Sequence, residues 1–223
     1  MDGMIFIIMG KSATGKDTLY KELLLRHPEL IPVIPYTTRP IREGETDGEA
    51  YHFVTEDELA RLESEGLVVE KRVYHTVKGD WTYFTVDDMD EPADDPDAGD
   101  DGKAVSGRYD DIGSEDINPV HIMITTLEGF IKIRDYYGSD RVIPIYIEVD
   151  DITRIERSLE REKQQEKPCV AEICRRFLAD DEDFSEDNLA REGIRHRIIN
   201  DDLERAVSEV AEVIRKCCNS MKG

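Results

Sequence analysis

The 223-residue chain is long enough for one complete α/β domain carrying an insertion or a lid, since single hydrophobic cores grow to about 250 residues. Hydrophobic residues make up 39% and charged residues 36%, and the formal net charge is −22 at pH 7. This excess of negative charge repels a phosphodiester backbone and an anionic membrane leaflet alike, so neither nucleic acid nor membrane is expected as a partner, and a phosphate-bearing small molecule must be held by local basic groups. Cys169, Cys174, Cys217 and Cys218 lack paired C-x-x-C spacing and read as reduced thiols of a cytoplasmic protein.

In chain order, residues 4–9 are an unbroken apolar run ended by Gly10, the pattern of a strand buried on both faces of a parallel sheet. Six apolar residues following Asp2 fit neither a signal peptide nor a membrane span. The run leads into Gly10-Lys11-Ser12-Ala13-Thr14-Gly15-Lys16 and then a helical stretch over 18–26. That is the G-x-x-x-x-G-K spacing of a phosphate-binding loop in its strand-loop-helix context. The glycines let successive backbone N–H groups turn toward anionic oxygens, Lys16 adds a point charge, and the helix N-terminus adds its partial positive end. ATP is the expected ligand of this loop, with Thr18 in the following turn. The residue after Lys16 is ordinarily a Ser or Thr that ligates Mg²⁺; here it is Asp17, and a relocated metal ligand is the reading.

Further on, Thr55-Glu56-Asp57-Glu58 is a capping box opening a helix to about residue 65, and residues 67–73 alternate like a strand. Residues 87–118 carry thirteen acidic side chains against Lys103 and Arg108 and read as a flexible insertion, without the ligand spacing of an EF-hand. Residues 120–124 and 142–149 repeat the buried-strand pattern around a helix over 127–137, which makes a β-α-β crossover. A charged helix over 152–165, a break at Pro168 and a second helix over 170–179 suggest a lid. The end reads as a short strand over 197–199, a cap at Asn200-Asp201-Asp202, and a helix with Leu203, Ala206, Val207, Val210 and Ile214 on one face.

The block Pro35-Tyr36-Thr37-Thr38-Arg39-Pro40-Ile41-Arg42-Glu43-Gly44-Glu45-Thr46-Asp47-Gly48-Glu49-Ala50-Tyr51-His52-Phe53 puts two arginines, a tyrosine and carboxylates in one loop, suited to clamping a phosphate monoester. Its wording resembles the guanylate kinase family's T-T-R-x-x-R-x-G-E-x-x-G-x-x-Y-x-F. The resemblance implies that Arg39, Arg42 and Tyr51 hold the phosphate of GMP, that Glu70 reads the guanine, and that Glu45 is a further acid of that region. It also implies a helical lid: Arg157-Ser158-Leu159-Glu160-Arg161 and Ile173-Cys174-Arg175-Arg176 are similar to the family's lid patterns, and Asn200 falls where the family keeps an asparagine beside adenine.

The resemblance further implies an α/β fold: a doubly wound parallel sheet forming a P-loop kinase core (1–34, 120–150, 195–223), with a small α+β GMP-binding subdomain (35–86), the acidic insertion (87–119) and the lid (151–194). The implied reaction is Mg²⁺-assisted transfer of the ATP γ-phosphoryl to GMP or dGMP, with Lys16, Arg39, Arg157, Arg161 and Arg176 neutralising charge. The chain departs from the family in four places. Pro35 stands where a serine helps read guanine; Lys78 stands where a tyrosine binds phosphate; Ile124 and Thr126 replace two aspartates; and Asp17 follows Lys16. The G-K-D loop and the missing aspartates are similar to ribose 1,5-bisphosphate phosphokinases, so a kinase of another small phosphorylated acceptor is one alternative. A non-catalytic guanylate kinase-like binding module is the other, although such a module needs neither an intact loop at 10–16 nor lid arginines.

Overall fold

The computed structural model describes residues 3–42, 44–76, 79–87, 119–165 and 167–220. They form β1 (Met4–Met9), α1 (Lys16–Arg26), β2 (Leu30–Pro32), β3 (Tyr36–Thr37), β4 (His52–Phe53), α2 (Glu56–Ser64), β5 (Val68–Thr76) and β6 (Gly79–Val86). The chain continues with β7 (Val120–Ile124), α3 (Leu127–Tyr137), β8 (Val142–Glu148), α4 (Asp151–Lys163), α5 (Val170–Asp183), α6 (Glu186–Arg191), β9 (His196–Ile199) and α7 (Leu203–Ser220). Nearly all of the expected acidic insertion, residues 88–118, and Lys78 with its expected phosphate-binding role lie outside the described residues.

Two compact units emerge, one of residues 4–32 and 120–223, the other of residues 1–3 and 33–119. The first is built on a parallel sheet with strand order β2-β7-β1-β8-β9, the α/β architecture expected from the sequence. β1 sits at its centre, which is why its six residues are all buried and all apolar. Alternation sends Met4, Phe6 and Ile8 to one face, where they pack with Leu19 and Leu23 of α1 and Ala206, Val207, Val210 and Ile214 of α7. α3 covers β8 and buries Leu127, Phe130 and Ile133. Thr126 caps α3 by accepting the Gly129 N–H at 3.1 Å, so one of the two positions lacking a family aspartate serves a helix end.

The second unit is a sheet of order β4-β3-β6-β5 with α2 on it. The β5–β6 hairpin runs antiparallel, with an irregularity between Val68 and Glu70. Leu59 and Leu62 of α2 pack with Phe84 and Val86 of β6, and Thr55 caps α2 by accepting the Glu58 N–H at 3.2 Å, as expected of a capping box. Among the described residues no helix is long and apolar enough to cross a membrane, and the four cysteines form no disulfide.

Candidate functional site

The loop at 10–16 leaves the C-terminal end of β1, the central strand, and enters α1. Gly10 is required by proximity, since a Cβ there would stand 2.3 Å from the carbonyl oxygen of Ile147 in β8. Gly15 is required twice over. Its φ is 81°, and a Cβ would stand 2.7 Å from Nδ2 of Asn200. As the N-cap of α1 it supplies no side-chain acceptor, so the N–H groups of the first turn are kept for an anion from outside the helix. Lys16 places its ammonium 3.9 Å from the Asp17 carboxylate, and the Asp17 side chain is 78% exposed.

Around this loop, neighbouring side chains hold the carbonyls of Ser12 and Thr14 and the N–H of Ser12. Asn200, buried at the end of β9, donates from Nδ2 to the Thr14 carbonyl at 2.8 Å. Arg157 of α4 lies against the same carbonyl at 3.5 Å and against the Asn200 carbonyl at 3.3 Å. Thr14 donates its hydroxyl to the Lys11 carbonyl at 3.0 Å. Lys11 itself is paired with Asp181 of α5, and that pairing holds the Asp181 carboxyl below its ordinary range. Of the expected lid arginines, Arg157 reaches the loop; Arg161 stands exposed one turn further along α4; and Arg176 of α5 is paired with Glu172 at 2.7 Å.

In the other unit, the 35–53 block gathers around Arg39. Thr37 donates its hydroxyl to the Thr82 carbonyl at 3.0 Å and accepts the Arg39 N–H at 3.1 Å, while the Thr38 hydroxyl accepts the Thr82 N–H at 3.0 Å. The two threonines of the T-T-R triplet thus pin the arginine to β6. The Arg39 side chain is 3% exposed and forms two 2.9 Å bonds to Glu45, and its guanidinium lies 5.7 Å from the ring centre of Tyr51 and 5.1 Å from that of Phe53. Bidentate pairing of this kind fixes a guanidinium in both position and plane. The Glu45 carboxylate also accepts the Arg42 N–H at 2.8 Å, and Arg39 first, then this N–H, draws the Glu45 carboxyl down to about 2. The Arg42 side chain is exposed.

Glu70 has a wholly buried side chain with both oxygens engaged. Arg72 donates to each at 3.0 Å, and the Thr85 hydroxyl donates to Oε1 at 3.1 Å. A carboxylate removed from water in this way needs such partners, or its burial would be strongly unfavourable. Pro35, lacking the expected hydroxyl, offers its carbonyl to the His52 N–H at 3.0 Å.

Three residues of this cluster are not evident from the sequence motifs. The hairpin register pairs Arg72 with Tyr83 and Glu70 with Thr85. Tyr83 is the tyrosine that stands beside Tyr51, with ring centres 5.4 Å apart, and Glu45, then Tyr83, help keep Arg39 protonated. The usable signal was the period-2 run Trp81, Tyr83, Thr85, which marks one face of a strand. Arg72 is the third, two residues from Glu70 and hence on the same face of β5.

A central parallel sheet flanked by helices, with a glycine loop at the end of its middle strand, defines an α/β fold of the P-loop class. The crystal structure of guanylate kinase from Anaplasma phagocytophilum shares it, with a TM-score of 0.60 over 96% of this chain and 85% of that one, at 18% identity. Residues 3–78 match the guanylate kinase family model. Guanylate kinases of Nostoc sp. and Neisseria gonorrhoeae are 43% identical over 70 residues and 46% identical over 68, covering 31% and 30% of this chain and 35% and 33% of the relatives. That of Nitratidesulfovibrio vulgaris is 38% identical over 93 residues, covering 41% of this chain and 45% of the relative. The chain thus matches less than half the length of these relatives.

Proposed function

We propose that this protein is a nucleoside monophosphate kinase that transfers the γ-phosphoryl of ATP to GMP or dGMP. The observation that carries this reading is the paired equipment of the two units. One holds a glycine loop with uncapped helix amides and Lys16; the other holds Arg39 fixed by Glu45 beside Tyr51 and Tyr83. A phosphoryl transfer asks for positioned cations and donors more than for covalent chemistry, and both units supply them. Residues 10–16, Asp17, Thr18 and Asn200 belong to the donor side. Arg39, Arg42, Glu45, Tyr51, Tyr83 and Glu70 belong to the acceptor side, with Arg157, Arg161 and Arg176 as cations for the transferred group.

The loop fits ATP through its backbone amides and Lys16. Mg²⁺, a hard cation that commonly takes one or two protein carboxylates together with phosphate oxygens, has an oxygen donor in the exposed Asp17. Among the described residues no three His, Cys, Asp or Glu side chains form a metal cluster. Bound at Asp17, the ion would neutralise charge on the transferred phosphates.

One observation favours a second reading. With Glu70 engaged by Arg72 and Thr85 and Pro35 lacking a hydroxyl, the base-reading end is occupied by internal partners, which suits a different small phosphorylated acceptor such as ribose 1,5-bisphosphate. ATP consumption measured with GMP, dGMP, AMP, CMP, UMP and ribose 1,5-bisphosphate separates the two. Turnover with the guanine nucleotides is the expected result; turnover with the pentose bisphosphate alone reverses the choice, and none with any acceptor overturns both.

A further inference from the structure

Ala13 has a φ of 64°, the one non-glycine residue in the left-handed region among the described residues. An L-residue with a Cβ is disfavoured there, and such a conformation persists where the surroundings hold it. The surroundings are specific. The Ser12 N–H donates to Oδ2 of Asp180 at 2.7 Å, and the Ser12 carbonyl accepts from Nε of Arg154 at 3.1 Å. Asp180 and Arg154 are themselves paired at 3.0 Å. Arg154 is 1% exposed; it donates to Asp151 at 2.6 Å, and its guanidinium lies 4.7 Å from the ring centre of Phe177.

We infer that the buried Arg154–Asp180 pair is a positioning device for the phosphate loop, clamping both backbone groups of Ser12 and so holding the Ser12–Ala13 peptide in the orientation that the left-handed turn at Ala13 requires. Rotation of that peptide plane is what changes φ of Ala13, and the carbonyl held by Arg154 belongs to that plane. Asp180 and Arg154 lie on different helices, so the pair also ties α4 and α5 to the loop, with Lys11–Asp181 alongside. The alternative function for Asp180, a carboxylate sitting in the place of a phosphoryl oxygen until nucleotide displaces it, is disfavoured by the burial of its partner. An arginine this enclosed would keep Asp151 but lose its other carboxylate partner whenever Asp180 departed, which costs most where water cannot replace it.

The inference rests on ATP binding at this loop, and direct titration of ATP and of GMP separates the two claims. Wild type, Asp180→Ala, Arg154→Met and each combined with Ala13→Gly are compared. Both single variants are expected to weaken ATP binding about five- to tenfold with GMP binding unchanged, and Ala13→Gly, which removes the cost of the left-handed turn, to recover most of that loss. No ATP binding by wild type would defeat the proposed function. ATP binding by Asp180→Ala equal to or tighter than wild type, or no recovery with glycine, would overturn the inference. Hydrogen exchange without nucleotide gives a second reading, since the amides of Ala13 and Thr14 should exchange about fivefold faster in Asp180→Ala. If Arg154→Met does not fold, the Asp180 variants alone decide.

Discussion

The loop at 10–16 and the cluster around Arg39 are both equipped to meet phosphate, yet they are held in opposite senses. In the loop, neighbouring side chains bind the carbonyls of Ser12 and Thr14, leaving the first-turn amides of α1 and the Lys16 ammonium for a ligand. In the cluster, the basic group is itself bound, with Arg39 clasped by Glu45. The first arrangement fixes a backbone, with the Ser12 N–H held by Asp180, and keeps the first-turn donors available. The second fixes a side chain, leaving the exposed Arg42 and the tyrosine rings to adapt. A motif that identifies residue types therefore says less about their engagement when those types are charged side chains than when they are glycines, because a charge is always liable to find a partner within the fold.

The largest effect should come from the loop. Lys16→Met is expected to lower kcat about a thousandfold in a coupled assay of nucleoside diphosphate formation, while circular dichroism stays unchanged, since among the described residues Lys16 makes a loose 3.9 Å contact with Asp17. Next comes the cluster: Arg39→Ala should raise the KM for the acceptor about thirty- to hundredfold with the KM for ATP within twofold, measured by varying each substrate in turn. Equal changes in both constants would erase the distinction between the regions. Gly10→Ala should disturb the packing of the loop on β8. Its methyl meets the Ile147 carbonyl oxygen, and a loss of about 1–3 kcal/mol is expected from urea unfolding.

The smallest effect is a matter of pH. Because Arg39 and then the Arg42 N–H lower the Glu45 carboxyl from its ordinary 4.5 to about 2, the ionised group stabilises the fold fully above pH 4.5. That contribution declines as pH falls from 4.5 and is gone below about 2. Glu45→Gln should remove this part of the acid dependence, so the difference in thermal midpoint between variant and wild type should shrink as pH falls from 5 to 3. A constant difference over that interval would detach Glu45 from Arg39.

The buried central strand, the glycine loop, the crossover through α3 and the amphipathic face of α7 are all readable from the sequence, because each arises from short-range periodicity or from a dihedral that only glycine adopts easily. The two- and three-residue strands β2, β3 and β4 are not, as they are too short to carry a period. β6 is hidden for another reason: its register on β5, which brings Tyr83 opposite Arg72 and Thr85 opposite Glu70, is a matter of pairing between strands and not of spacing along the chain.

For the candidate sites, the sequence by itself determined which residues form the glycine loop and the T-T-R block, since these depend on residue type and spacing. Only the tertiary structure decided what each charge meets. Asp180 and Ser12 are 168 residues apart, and Arg154 and Ser12 are 142 apart, so no local pattern could have joined them. They meet because the ends of parallel strands bring α4, α5 and the loop to one edge of the sheet, and because an arginine excluded from water must take its partners from whatever the fold places there.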